Sequence, residues 1–287
     1  MFRRVSIVDG QSRRMDGGIV FGSVPQRIWA EWVRPDHKNL VDLPSRVLLV
    51  QQNDQNILVL SGCEMLLPPL PRKCSCQRHS HILLEGLARL GLGEDDIHTV
   101  VLTHLQSILA PEMQDFVRDG SVARLLFRRA RYLVGERHWF RALRPHPRDR
   151  ALFVPQIMAH LEASGRLDML STSTYAPVGD DWKFHISDGS TPGQLIPEIQ
   201  TLGGPLIFAG DLIPGTHWLQ LEVTSGYDRN PECLIEEKEQ LLDHLVASKG
   251  RLVLSRDPRV AMIRVSRDRQ SRYQPYDEHL SLLRLEA

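Results

Sequence analysis

Ile97-His98-Thr99-Val100-Val101-Leu102-Thr103 runs without a break into His104-Leu105-Gln106-Ser107-Ile108-Leu109. The first seven residues are short and β-branched, which predicts a buried strand. Upstream, two apolar runs, Arg46–Gln51 and Asn56–Ser61, flank the turn-rich Gln52-Asn53-Asp54-Gln55. They read as a β-hairpin of buried strands. Between hairpin and strand, Leu83, Leu84, Leu87 and Leu90 fall on one helical face, and Gly91 and Gly93 stop the helix.

Downstream, helices are expected around Gly135–Leu143 and Phe153–Ser164, and strands at Lys183–Ser187 and Pro205–Ala209. Asn230-Pro231 opens a long helix to Lys249: Asn caps it and Pro suits its first turn. Leu234, Leu241, Leu242 and Leu245 give that helix an apolar stripe, and Gly250 is expected to end it. Leu252–Leu254 is a last buried strand, ending at Ser255-Arg256-Asp257-Pro258. The tail after Ser266 is polar and weakly patterned, although Leu280–Leu285 could pack as a final element. Strands followed by a mixture of strands and helices suit two packed sheets covered by helices, an α/β class. With no internal repeat, low-complexity tract or linker, residues 1–287 are expected to form one domain.

Composition narrows the function. Thirty-five basic residues balance thirty-five acidic ones, so overall charge points to no polyanionic partner and nucleic acid is not expected. No run approaches the roughly 18 apolar residues of a membrane span. Met1–Gly10 lacks an apolar stretch behind its basic residues, and four cysteines suggest reduced thiols, so a cytoplasmic setting is expected.

Several landmarks then fall in a recognisable order. They are Gly17-Gly18-Ile19-Val20-Phe21-Gly22-Ser23-Val24-Pro25, the Leu58–Gly62 strand end, Glu94-Asp95-Asp96-Ile97 and Thr103-His104. Ala130–Val134, Ser187–Gln194, Gly210-Asp211-Leu212-Ile213-Pro214 and Gly226-Tyr227-Asp228 complete the set. From Gly17 to Pro258 the chain resembles the metallo-β-lactamase superfamily, in its lactonase-like and organophosphate-hydrolase-like branch. The resemblance implies a four-layered αβ/βα sandwich of two mixed sheets flanked by helices, with a two-metal site at one edge. It also implies zinc-like ions held by a His-x-His-x-Asp-His motif, a further loop His, a bridging Asp and a final His. Imidazoles and carboxylates suit such ions, which lower the pKa of a bound water to make hydroxide.

At those positions this chain departs from the pattern. The first motif reads His104-x-Gln106-x-Ile108-Leu109, in which only His104 is a ligand. Ser190 stands at the loop His position, Arg256 at the final His, and Ser61-Gly62-Cys63 where Asp-Thr-Gly is usual. Asp211 matches the bridging carboxylate. Two ligands of seven therefore remain, too few for a closed zinc site. The expected cofactor is none, and two-metal hydrolysis is not expected. Removing the ions would leave Asp211 buried and unpaired, and Arg256 could neutralise it as an ion pair.

Two functional classes stay open. One is a non-hydrolytic pseudoenzyme that binds a partner or a small-molecule or anionic ligand. The other is a residual or altered hydrolase of lactone, ester or phosphotriester type, using weakly bound metal or a non-metal mechanism. The candidate pocket comprises His104, Gln106, Ile108, Leu109, Ser190, Asp211 and Arg256, with His217, Trp218, Tyr227 and Asp257 at its rim. Asp257 could also compete with Asp211 for Arg256. A Ser190–His104–Asp211 triad is a further alternative, without a nucleophile elbow to support it.

Three other groupings have plainer readings. Cys74-x-Cys76-x-x-His79-x-His81 has soft metal ligands but lacks the usual zinc spacing. The span Arg118–Arg150 holds ten arginines against Asp119, Glu136 and Asp149 and no lysine, a local charge of +7. It reads as a solvated face met by acidic segments such as Glu232–Glu239, or else as an anion-binding surface. Trp29 and Trp32 read as core packing first and a homodimer contact second.

Overall fold

The computed structural model describes residues 3–63, 66, 81–107, 125–171 and 178–286. Ile108, Leu109, Cys74, Cys76, His79, Arg118 and Arg124 lie outside them.

Among the described residues, strands assemble into two large sheets. The first has the order Leu285–Glu286, Arg3–Asp9, Arg46–Gln52, Gln55–Leu60, Thr99–Leu102, Arg131–Gly135, Leu167–Leu170. The second has the order Tyr273–His279, Met262–Arg267, Arg251–Val253, Leu206–Phe208, Gln194–Ile199, Trp182–Ser187. Both are mixed. Gln55–Leu60, Thr99–Leu102, Arg131–Gly135 and Leu167–Leu170 run parallel in the first, as do Leu206–Phe208 and Arg251–Val253 in the second.

Alternation along single strands explains the layering. Leu48 and Val50 face Phe184, Leu195, Leu206 and Phe208 in a core between the sheets. Their neighbours Val47 and Leu49 face the opposite way, onto Leu83, Leu87, Trp139, Ile157 and Leu161 of three helices. Those helices are His81–Arg89, Glu136–Leu143 and Pro155–Ala163. On the far side of the second sheet, Ile196, Ile207, Leu252 and Ile263 pack against Leu241, Leu242 and Leu245 of the Pro231–Ser248 helix. Strands covered on both faces must be apolar at nearly every position, which is why the hairpin and Thr99–Leu102 read as unbroken apolar runs. The result is the expected four layers, helix–sheet–sheet–helix.

The hairpin turn is tight because Asn53 and Asp54 adopt φ of 47° and 60°, a conformation those residues tolerate. The long helix starts as expected, with the Asn230 side chain accepting from the Cys233 amide. Its end differs, because Lys249 rather than Gly250 takes the left-handed position, with φ 52°. Gly250 is held instead against Pro205, where its amide donates to Leu245 O. The tail is the larger departure: Tyr273–His279 pairs antiparallel with Met262–Arg267 as an edge strand. One face of it meets solvent, which is why its sequence is polar. No described helix is long and apolar enough to cross a membrane.

Candidate functional site

Four strand ends converge at one edge of the two sheets. Gln55–Leu60 delivers Ser61, and Thr99–Leu102 delivers Thr103 and His104. Leu206–Phe208 leads through Ala209-Gly210 to Asp211, and Arg251–Val253 leads to Ser255 and Arg256. These strands form parallel pairs, so their carboxyl ends open onto the same crevice. Gly210 makes the last turn before Asp211 at φ +58°. A Cβ there would also stand 3.2 Å from Thr103 Oγ1 and from Gln194 Nε2, so glycine satisfies both the conformation and the space.

Asp211 is the hub. Its Oδ1 accepts from Arg256 Nε at 2.9 Å and from Ser61 Oγ at 2.9 Å. Its Oδ2 lies 3.2 Å from His104 Nε2, which is 3.3 Å from the same Ser61 hydroxyl. Burial pushes the Asp211 carboxyl upward, but Arg256 and His104 outweigh it and hold the group well below the usual carboxylate range. Arg256 is 4% exposed. Burial disfavours its charge, Asp211 more than restores it, and the balance lies above the ordinary guanidinium value.

The cavity beside this pair is lined by Arg13, His104, Gln106, Tyr227 and Arg256 among others. Its volume is about 30 Å³, on a scale where one water needs roughly 10–15 Å³. Arg13 reaches it from the Arg13–Asp16 strand. Burial, and then the neighbouring Arg256, lower its pKa to about 9. Burial likewise pushes the Tyr227 phenol upward. Arg256 Nη1 and Gln106 Nε2 are buried and find no hydrogen-bond partner among the described residues. Among the described residues, the Asp211 charge thus acts on both the Arg13 and the Arg256 guanidinium.

The structure thus brings together His104, Gln106, Asp211, Tyr227 and Arg256 from the expected set. It separates others. The hydroxyl bridging His104 and Asp211 belongs to Ser61, whereas Ser190 stands near the Asp228 carboxyl, so the Ser190 triad does not form. Burial raises that Asp228 carboxyl to about 7. Asp257 does not compete for Arg256: its carboxylate accepts from Thr216, Arg259 and Val260. His217 stacks on Trp32 at 4.8 Å, and Trp218 on Phe21 at 5.0 Å, so both are packing residues rather than pocket rim. Trp29 stacks on Phe21 and is 1% exposed, a core residue, as its first reading had it.

Arg13, Ser61 and His138 were missed by sequence reasoning. His138 Nε2 accepts from the Leu105 amide at 2.8 Å, and its Nδ1 donates to Pro192 O at 3.0 Å. It therefore ties the His104 loop to the Gly189–Gln194 loop, with its proton on Nδ1. Burial, then repulsion from His104, drive its pKa down to about 3, so it stays neutral. Ser61 had a signal, as the residue standing at the usual Asp of Asp-Thr-Gly. Arg13 and His138 had none, because they arrive from segments distant in sequence.

Four of the described arginines in the arginine-rich segment have acidic partners. Arg128 pairs with Glu94, Arg131 with Asp168, Arg137 with Asp188 and Arg141 with Asp149, rather than with Glu232–Glu239.

Solved structures place this architecture. A probable metal-dependent hydrolase from Staphylococcus aureus matches at TM-score 0.76 and 21% identity, over 96% of this chain and 97% of that one. A hydrolase of the beta lactamase superfamily, AbOPH, matches at TM-score 0.72 and 18% identity, over 96% and 94%. The chain has the metallo-β-lactamase fold. AidC, a dizinc quorum-quenching lactonase in complex with a product, shares that fold at TM-score 0.71 and 17% identity, over 96% and 95%. No protein-family model matches the chain, and no curated protein matches it.

The expectation of no cofactor is corrected by these likenesses. Metallo-β-lactamase-fold neighbours are described as metal-dependent and dizinc, which makes metal the cofactor class to look for. The residues at Asp211 nevertheless do not fit a two-ion centre. A bridging carboxylate must offer its oxygens to cations, whereas Asp211 Oδ1 already accepts from Arg256 and Ser61, and Arg13 lines the same cavity. Among the described residues, three metal-type donors do converge elsewhere in this metallo-β-lactamase fold: His185, Glu198 and His244.

Proposed function

We propose that the Asp211 pocket binds a small anion, a carboxylate or phosphate group, and that it does so without the shared-hydroxide hydrolysis of a two-metal centre. The observation that carries this reading is Arg256. One buried nitrogen is committed to Asp211, and another, Nη1, has no partner among the described residues beside the second buried guanidinium of Arg13. A buried donor without an acceptor costs about 1–3 kcal/mol, more when charged, and an anion between the two guanidiniums removes that cost. Guanidiniums suit planar, bidentate recognition of carboxylate and phosphate. Gln106 Nε2 adds a neutral donor to the same wall.

The neighbour AidC is described with its product, N-hexnoyl-L-homoserine, which is a carboxylate. Calorimetric titration of the chain with inorganic phosphate and with N-hexanoyl-L-homoserine tests the reading. Saturable binding that Arg13→Gln abolishes is expected; binding unchanged in that variant overturns it.

A second reading, hydrolysis, draws support from the likeness to metal-dependent hydrolases. It differs in one result, turnover that falls when Asp211 becomes Asn.

A further inference from the structure

On the far side of the second sheet, two histidines converge on one buried carboxylate. Gln194–Ile199 and Trp182–Ser187 pair in a register that sets Ile196 opposite His185, so Glu198, two residues on, shares their face. That face is covered by the Pro231–Ser248 helix, since Ile196 packs with Leu241, Leu242 and Leu245. His244, three residues beyond Leu241, lies over the same strands.

The donor atoms meet closely. Glu198 Oε2 lies 2.5 Å from His185 Nε2 and 3.0 Å from His244 Nε2. Its other oxygen, Oε1, accepts from Gln200 Nε2 at 2.7 Å, which fixes the plane of the carboxylate. Glu198 is 2% exposed, and its side chain needs compensation for lost hydration. The two imidazoles are less buried, and Trp182–Ser187 is the edge strand of its sheet, so the cluster can be reached from solvent. A cavity of about 310 Å³ adjoins it, with Ser187, Glu237 and Gln240 in its wall.

We propose that His185, Glu198 and His244 form a binding site for a divalent cation of the zinc type. Two imidazole nitrogens and one carboxylate oxygen, all within 4.8 Å of one another, are a three-ligand set for such an ion. Bonds of about 2.0–2.2 Å in a tetrahedral site hold ligands roughly 3.3–3.6 Å apart, so side chains already 2.5 and 3.0 Å apart need only a small outward shift. His185 and His244 also line the cavity, which gives room for water as a fourth ligand, as in sites that keep an open coordination place. Gln200 acts as the outer partner that orients the carboxylate. The site stands apart from Asp211 in both its residues and its test.

The experiment uses the full chain, treated with chelator and then titrated with Zn²⁺ against an indicator dye and with Co²⁺ by visible absorption. One ion per chain and a tetrahedral Co²⁺ band are expected. His185→Ala and His244→Ala should each weaken binding by at least about tenfold. Glu198→Gln, which keeps the side-chain volume, should do the same. Circular dichroism confirms that each variant is folded. Asp211→Asn and Arg13→Gln should leave Zn²⁺ binding unchanged. The proposal is overturned if wild type binds no ion, if the three cluster variants bind as wild type does, or if binding is instead lost in Cys74→Ala or Asp211→Asn.

Discussion

Arg256 Nε donates to Asp211 Oδ1 at 2.9 Å, and both side chains are withdrawn from solvent. Such a pair gains from Coulomb attraction and loses from desolvation, so removing one partner costs far more than the pair is worth. Arg256→Ala should lower unfolding free energy by about 3–5 kcal/mol. The double variant Asp211→Asn with Arg256→Leu should recover a large part of that loss. Guanidinium denaturation of wild type, Asp211→Asn, Arg256→Leu and the double variant reads the coupling. Additive losses would show that the two side chains do not depend on each other.

His138 sets an acid limit. Its folded pKa of about 3 lies below the unfolded value of 6.5. Between these values the unfolded chain binds a proton that the native chain does not, so stability falls as pH drops from about 6.5 toward 3, by at most about 1.4 kcal/mol per unit. His138→Gln should remove that slope, read as wild type minus variant in urea melts at several pH values. Asp228 has the opposite sign. Its carboxyl, raised to about 7, contributes stability that is lost as pH rises from about 4 to 7, and Asp228→Asn should abolish this component.

Gly210→Ala should cost stability and disturb the pocket together. Its φ of +58° disfavours a Cβ, and Thr103 and Gln194 stand 3.2 Å from where one would be. A loss of about 1 kcal/mol or more is expected in thermal melts, with weaker phosphate binding in the same protein. A variant as stable as wild type would mean that the turn can relax around an alanine.

Anion binding should also appear as stabilisation. Phosphate at about 100 times its dissociation constant should add about 2.7 kcal/mol to unfolding free energy. Arg13→Gln should remove the increment while keeping the fold. An equal increment in that variant would place the anion elsewhere.

The layers were legible because strands buried on both faces leave uninterrupted apolar runs, and Arg46–Gln52, Gln55–Leu60 and Thr99–Leu102 carry that mark. Tyr273–His279 was not, because an edge strand with one wet face looks like a polar tail. The Asp211–Arg256 pair followed from chemistry, a carboxylate and a guanidinium standing at two positions that the resemblance gives to metal ligands. Arg13 and His138 escaped because nothing local in sequence says that the Arg13–Asp16 strand or the Glu136–Leu143 helix reaches the Thr103–Ser107 loop. His185, Glu198 and His244 escaped for a related reason. Their meeting depends on strand register and on where the long helix lies across the sheet, neither of which spacing along the chain reveals.

Hydrolysis of N-hexanoyl homoserine lactone by the chain supplemented with Zn²⁺, compared between wild type and Asp211→Asn, bears most directly on the role of the Asp211 pocket. With Arg256 on the carboxylate, the two proteins should show the same background rate, while phosphate binds to wild type. Turnover in wild type that falls at least about a hundredfold in Asp211→Asn would mean that Asp211 serves a hydrolytic centre, and the anion-pocket reading would be wrong.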